Sequence, residues 1–177
     1  MRITISGPPG SGKTTVCRLV ANRLHLEVVI SGDIFRQLAK EASLSLADFG
    51  SMCESDPDVD RQLDQRMVDI ARSRDDLLLE GRLTGHMLTR NGIPAFRVFM
   101  GADLDVRAAR VAEREGGTAA QRKQEIVRRE KCEACRYLAY YDIDIRDRSV
   151  YDLVIDTTNK TPEQVADIIC DAAVHHD

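Results

Sequence analysis

Apolar positions along this chain fall into two patterns. Short unbroken runs cover residues 2–6 (with Ile3-Thr4-Ile5), 27–30 (Val28-Val29-Ile30), 77–80, 95–100 and 152–156 (Leu153-Val154-Ile155). Runs this short and continuous predict strands buried on both faces. Between them, apolar residues recur every three or four positions, the period of a helix packed on one side. The pattern predicts helices over 13–24, from near Ile34 after a Ser31-Gly32-Asp33 cap, over 45–54 with Ser45 as N-cap, and from Asp56-Pro57 to about residue 74. A long helical region runs from 104 to 141, broken near Gly116-Gly117, and a last helix opens at Thr161-Pro162-Glu163. Strands alternating with helices predict an α/β fold with a five-stranded parallel sheet covered on both faces. The stretches at about 34–74 and 104–141 exceed what a simple crossover needs. They are expected to be inserts on one domain spanning residues 1–177, the second of them a small mobile lid.

Composition narrows the class. The chain has 177 residues, 43% apolar and 31% charged, with a net charge of −4. That mixture supports a folded core and argues against disorder or a broad nucleic-acid surface. No apolar run reaches the roughly 18 residues of a membrane span. No basic-then-apolar leader follows Met1, and the five cysteines are odd in number and scattered. A cytoplasmic protein, monomeric and acting on small molecules, is the expectation. Of the 25 cationic residues 20 are Arg, the side chain that grips phosphate with two parallel hydrogen bonds. Genomic bias explains such an excess equally well.

The segment Gly7-Pro8-Pro9-Gly10-Ser11-Gly12-Lys13-Thr14 matches G-x-x-x-x-G-K-[ST] in full and falls between a predicted strand and a predicted helix. Such a phosphate loop, a P-loop of the NTPase type, turns backbone N–H groups inward, and Thr15 continues it into the helix. Lys13 would reach the β/γ-phosphates of ATP and the Thr14 hydroxyl would hold Mg²⁺. Asn159-Lys160-Thr161-Pro162 places Pro where a guanine-reading Asp would stand, so a GTPase is disfavoured. Glu80, ending the third strand, either holds a Mg²⁺-bound water or is a solvated strand end.

The order and spacing of several segments carry a resemblance. They are the loop over 7–15, Ser31-Gly32-Asp33-Ile34-Phe35-Arg36, Asp56 to Arg61, Leu79-Glu80-Gly81-Arg82, Arg129 to Arg136, and Tyr151 to Ile155. Together they resemble the nucleoside monophosphate kinases, most nearly the compact archaeal-type cytidylate kinases, over essentially the whole chain. The resemblance implies that Asp33 orients Mg²⁺-bound water and that Arg36 and Arg82 clamp the acceptor phosphate. Arg66 is a looser match for a substrate contact. Arg107, Arg110 and Arg114 form one helical stripe. By resemblance Arg110 would stack on adenine and Arg114 reach the phosphates. Arg129, Glu133 and Arg136 share a face, and the two Arg would wrap the transferring group while Glu133 orients an Arg or meets the acceptor ribose. Seven Arg in all (107, 110, 114, 122, 128, 129 and 136) fall in this region and read as a phosphate-gripping set.

Bacterial cytidylate kinases follow the third strand with Gly-Arg-Asp, the Asp reading cytosine; here Leu83 stands third. Ser31, Asp60 and Arg61 are candidate base contacts by position. Cys132 and Cys135 fall mid-helix without a second ligand pair, which disfavours zinc. The implied activity is ATP- and Mg²⁺-dependent phosphorylation of CMP, and of dCMP, through Lys13, Arg36, Arg82, Arg129 and Arg136. An adenylate kinase-like or other small-acceptor kinase is the alternative, and a non-catalytic nucleotide-dependent assembly factor a further one.

Overall fold

The computed structural model describes residues 1–176 and the side chains of all of these except 46, 47, 50, 51 and 54. The five expected strands are β1 (Arg2–Ser6), β2 (Glu27–Ile30), β3 (Leu77–Glu80), β4 (Phe96–Gly101) and β5 (Leu153–Asp156). All pair in parallel, in the order β2-β3-β1-β4-β5. Ile3 on β1 stands opposite Leu78 on β3 and Phe96 on β4. The central strand therefore ends in the phosphate loop, flanked by the ends of β3 and β4. Crevices at such carboxyl ends are where open α/β sheets bind ligands.

Alternation along the strands sends side chains into two cores. Ile3, Ile5, Leu78 and Val98 pack with Val16 and Val20 of α1 (Lys13–Leu24) and with Val165 and Ile169 of α8 (Pro162–Val174). On the opposite face Leu77 and Leu79 pack with Met67 and Val68 of α4 (Pro57–Ser73) and with Leu88 of α5 (Thr84–Arg90). Each fully buried Leu, Ile or Val contributes roughly 1.5–3 kcal/mol. Caps set the helix starts. Ser45 accepts from the backbone of Asp48 at the head of α3 (Leu46–Ser55), and Asp56 from that of Asp58 before Pro57 at the start of α4. Thr161 and Gln164 close a capping box on α8.

One expectation needs correction, and one helix was not expected. The helix after β2 is α2 (Ser31–Glu41), with Ile30 as N-cap. Ser31-Gly32-Asp33 thus form its first turn, because the strand feeds into the helix with no intervening loop. The helix α5 carries no sequence signal: Thr84, Gly85, His86, Met87 and Leu88 are all buried, so its seven residues show no amphipathic period.

The Arg-rich region forms two helices, α6 (Leu104–Glu115) and α7 (Ala119–Tyr141), turning at Gly116 (φ 80°) and Gly117 (φ 82°). Leu104, Ala108, Val111 and Ile126 give the pair a small core of its own. Arg107, expected in one helical stripe with Arg110 and Arg114, is instead buried. Its guanidinium donates to the Ala102 and Pro9 carbonyls and pairs with Glu130 at 3.0 Å, tying α6, α7 and the phosphate loop together. Arg122 likewise donates to the Gly116 and Glu115 carbonyls and steadies the turn. These two leave the phosphate-gripping set.

Replacing Arg107 by Met should therefore destabilise the whole domain. The Pro9 and Ala102 carbonyls lose a donor, while Glu130 is exposed enough to rehydrate. The expected loss is about 2 kcal/mol, less than for a fully buried pair. Thermal unfolding should show it as a fall in Tm of about 6 °C. An unchanged Tm would show that the contact contributes nothing to stability.

Candidate active site

The loop after β1 is shaped by close approaches. At Gly10 the backbone has φ 79°, and an added Cβ would lie 2.6 Å from the Arg107 carbonyl oxygen; at Gly7 a Cβ would lie 2.1 Å from that of Met100. Only glycine fits either place. The Pro8 carbonyl accepts from Ser11 Oγ at 2.9 Å and from Lys13 Nζ at 3.0 Å, which folds the loop over the N-terminus of α1. The first-turn N–H groups of α1 have no intrahelical partner and present a site for an anion. Burial lowers the Lys13 ammonium to about 8, with Glu80 acting in the opposite direction. An anion beside it would restore an ordinary lysine. Thr14 donates to Glu80 Oε2 at 3.1 Å, so two hard oxygen donors stand together next to Lys13. Among the described residues there is no cluster of three His, Cys, Asp or Glu that could hold a metal. A pair of oxygens suits an ion such as Mg²⁺, which takes its remaining ligands from phosphate and water.

Beside the loop lies a cleft of about 690 Å³, walled by the ends of β2 and β3 and by α2, α4 and α7. Of the candidate residues, Ser31, Arg36, Asp60, Arg82, Arg129, Glu133 and Arg136 all line it. Glu133 is its electrostatic centre. Buried itself, it accepts from Arg82 Nε at 2.6 Å and from Arg129 Nε at 2.8 Å. Burial pushes its carboxyl up, but the two guanidiniums outweigh that and hold it below the usual range. Glu133 therefore orients two Arg side chains. Arg136 pairs with Asp60 Oδ2 at 2.9 Å. Burial raises the Asp60 carboxyl, against the pull of Arg136.

Other candidates fall elsewhere. Asp33 is exposed, bonds Arg36 and does not line the cleft. Arg61 and Arg66 lie on a separate open groove on the outer side of α4, paired with Asp58 and Glu41. Their helical phase turns them away from Asp60. Thr15, Arg110 and Arg114 meet at a second hollow of about 270 Å³ beside Gly10, Ser11 and Gly12. Arg110 donates to the Thr157 carbonyl at 2.8 Å, and Thr157 Oγ1 to the Ser11 carbonyl at 3.1 Å. The loop thus sits between two concavities, one against α6 and α8 and one against α4 and α7.

Sequence reasoning missed several cleft residues: Phe35, Cys53, Asp64 and Tyr137. Asp64 had a signal, since it lies four residues after Asp60 on the same helical face. Tyr141, also unremarked, donates its hydroxyl to Asp64 Oδ2 at 2.7 Å. Cys132 lines the cleft and, like Cys135, is an exposed free thiol. No helix among the described residues is long and apolar enough to cross a membrane.

Known proteins resemble this chain in fold and in sequence. The fold is similar to that of a solved, uncharacterized protein from Eubacterium ventriosum, with a TM-score of 0.76 at 19% identity, covering 99% of both chains. It is similar also to a shikimate kinase from Acinetobacter baumannii in complex with shikimate, with a TM-score of 0.67 at 17% identity, covering 98% of this chain and 93% of that one. At such identities the likeness shows the α/β fold and nothing finer. In sequence, the chain is 46% identical over 169 residues to the cytidylate kinase of Methanococcoides burtonii, covering 96% of this chain and 94% of the relative. The family model of the cytidylate kinase-like family matches residues 2–159, a span that holds the phosphate loop, the cleft and both Arg-rich helices. The chain belongs to the cytidylate kinase-like family.

Proposed function

We propose that this chain transfers the γ-phosphoryl group of ATP to CMP, and to dCMP, with Mg²⁺ as the accompanying ion. The observation that carries the reading is the Arg82–Glu133–Arg129 cluster, which sets oriented cations in a nucleotide-sized cleft directly beside a phosphate loop. A hydrolase needs only the loop and a water. A second cationic cleft is what an anionic acceptor requires.

In this reading ATP lies along the loop, with its base toward Arg110 and Arg114. The acceptor phosphate lies among Arg36, Arg82 and Arg129, with Arg136 deeper in the cleft beside Asp60. One acceptor oxygen attacks the γ-phosphorus in line, the bond to the bridging oxygen breaks, and ADP leaves. A phosphate monoester is largely ionised near pH 7, its second pKa being about 6, so no base has to remove a proton. What the chain supplies is position and positive charge. Lys13 neutralises the β/γ-phosphates and is kept protonated by them. Glu133 holds Arg82 and Arg129 at a fixed separation, so their orientation is set before substrate arrives. Arg36 exchanges its exposed partner Asp33 for the phosphate. Thr14, with Glu80 acting through water, would hold Mg²⁺, and the ion would supply charge neutralisation on the phosphate oxygens. Movement of α6 and α7 as a lid would exclude water and limit ATP hydrolysis.

An ADP-release assay across CMP, dCMP, UMP and AMP should give the highest kcat/KM with CMP and a comparable value with dCMP. Equal, weak turnover of all four would sink the cytidylate assignment. Lys13→Met and Arg82→Met should each lower kcat by about 10²–10³-fold, the scale for removing one group that stabilises developing charge. Either variant turning over at the wild-type rate would remove that residue from the site. Glu80→Gln should raise the Mg²⁺ concentration for half-maximal rate several-fold, with CMP KM little changed. An unaltered Mg²⁺ dependence would leave Glu80 a structural partner of Thr14 only.

A further inference from the structure

Phosphoryl transfer leaves the far end of the acceptor cleft without a task. Two helices run together there. The helix α4 presents Asp60 and Asp64, one turn apart, to the cleft, and α7 answers with Arg136 on Asp60 and the Tyr141 hydroxyl on Asp64 Oδ2. Glu133, which holds Arg82 at the cationic end, lies eight residues before Tyr141 on α7, about 12 Å along the helix. That is the length scale of a nucleoside monophosphate. Leu63, Met67 and Tyr137 line the cleft between, giving it apolar surface suited to a base. The cleft is thus cationic at one end, partly apolar in the middle and acidic at the other.

The two carboxyl groups differ in what remains open to a ligand. Asp60 is engaged by Arg136. Asp64 receives one hydrogen bond among the described residues, from Tyr141 to Oδ2, and none at Oδ1. When ionised, this carboxyl accepts at Oδ1 and does not donate. Cytosine carries an amino donor at position 4, where uracil carries a carbonyl acceptor. Acidic side chains read cytosine through that amino group in other settings too. We infer that Asp64, fixed by Tyr141, accepts a hydrogen bond from the 4-amino group of the acceptor pyrimidine and so sets the preference for cytosine over uracil. This rests on the cytidylate kinase reading above. It also places the base-reading carboxylate on α4, a different element from the strand-end position that Leu83 occupies. Burial, with Asp60 adding to it, raises the Asp64 carboxyl to about 7, while Tyr141 and Arg136 oppose the rise. An amino donor at Oδ1 favours the ionised form, as Tyr141 does. With uracil, two acceptors would face one another in a recessed pocket, and a site built to bond a donor rejects an analogue that lacks it.

The test is Asp64→Asn. The Asn carbonyl can still take the Tyr141 hydroxyl, while its amide N–H₂ replaces the free acceptor with a donor that suits uracil. The ratio of kcat/KM for CMP to that for UMP should fall by about 100-fold, through a higher CMP KM and improved use of UMP, with ATP KM unchanged. Tyr141→Phe should lower the ratio by a smaller factor. A wild-type ratio in Asp64→Asn, or equal loss on both substrates, would overturn the inference. A measurement on the unaltered protein stands apart from any folding defect. CMP bearing two methyl groups on the 4-amino nitrogen should bind by calorimetry at least about 50-fold more weakly than CMP, and equal binding would again overturn it. Should the unaltered enzyme show no preference for CMP over UMP, the cytidylate reading itself fails. Should it prefer CMP while Asp64→Asn keeps that preference, only the assignment of Asp64 falls.

Discussion

One buried carboxylate, Glu133, meets two guanidiniums that come from distant parts of the chain, and the arrangement of the cleft follows from that meeting. Arg82 follows β3 after a single glycine, and Arg129 lies one helical turn before Glu133 on α7. Brought together without an anion, two such cations would repel one another and the helix would stand away from the sheet. With Glu133 between them the cluster carries one net positive charge and remains oriented toward the cleft. Removing one member of a buried ionic group costs more than the group contributes as a whole, because the charge left behind is uncompensated. The contact also sets the position of α7 along the sheet, which in turn places Arg136 against Asp60 and Tyr141 against Asp64.

Arginine abundance in this net-acidic chain resolves into distinct physical roles. Arg107 and Arg122 spend their donors on backbone carbonyls and hold the Arg-rich helices to the phosphate loop and to each other. Arg110 donates to Thr157 and joins the end of β5 to the loop through Ser11. Arg36, Arg82, Arg128, Arg129 and Arg136 face the cleft. The same residue type serves both purposes because its planar fork satisfies several carbonyls or several phosphate oxygens equally well.

The sequence was most legible where backbone geometry leaves little choice. The strands of the sheet, the phosphate loop and the Gly116-Gly117 break follow from continuous apolar runs and from glycine placement, and all were found within a residue or two. Legibility failed where tertiary burial replaced the local signal. The first five residues of α5 are all buried and so show no period, and Arg107 looked like its neighbours Arg110 and Arg114 although its side chain points into protein. In the cleft, the residues carried by motifs, Arg36, Arg82, Arg129, Glu133 and Arg136, do come together. Asp33, Arg61 and Arg66 do not, because adjacency in sequence says nothing about which side of a helix faces inward. Asp64 and Tyr141 escaped notice for the converse reason. They are 77 residues apart, and only the packing of α4 against α7 makes them a pair.

That packing ties both ends of the cleft to one rigid element. Arg129 and Tyr141 lie twelve residues apart on α7, about 18 Å of continuous helix. A helix of that length moves as a body, so the end facing the acceptor phosphate and the end supporting Asp64 cannot be repositioned independently. On the assignment of Asp64 inferred above, a base bonded at the acidic end holds α7 in the position that the Glu133 cluster already favours, so recognition at one end of the cleft supports charge stabilisation at the other without any contact between them.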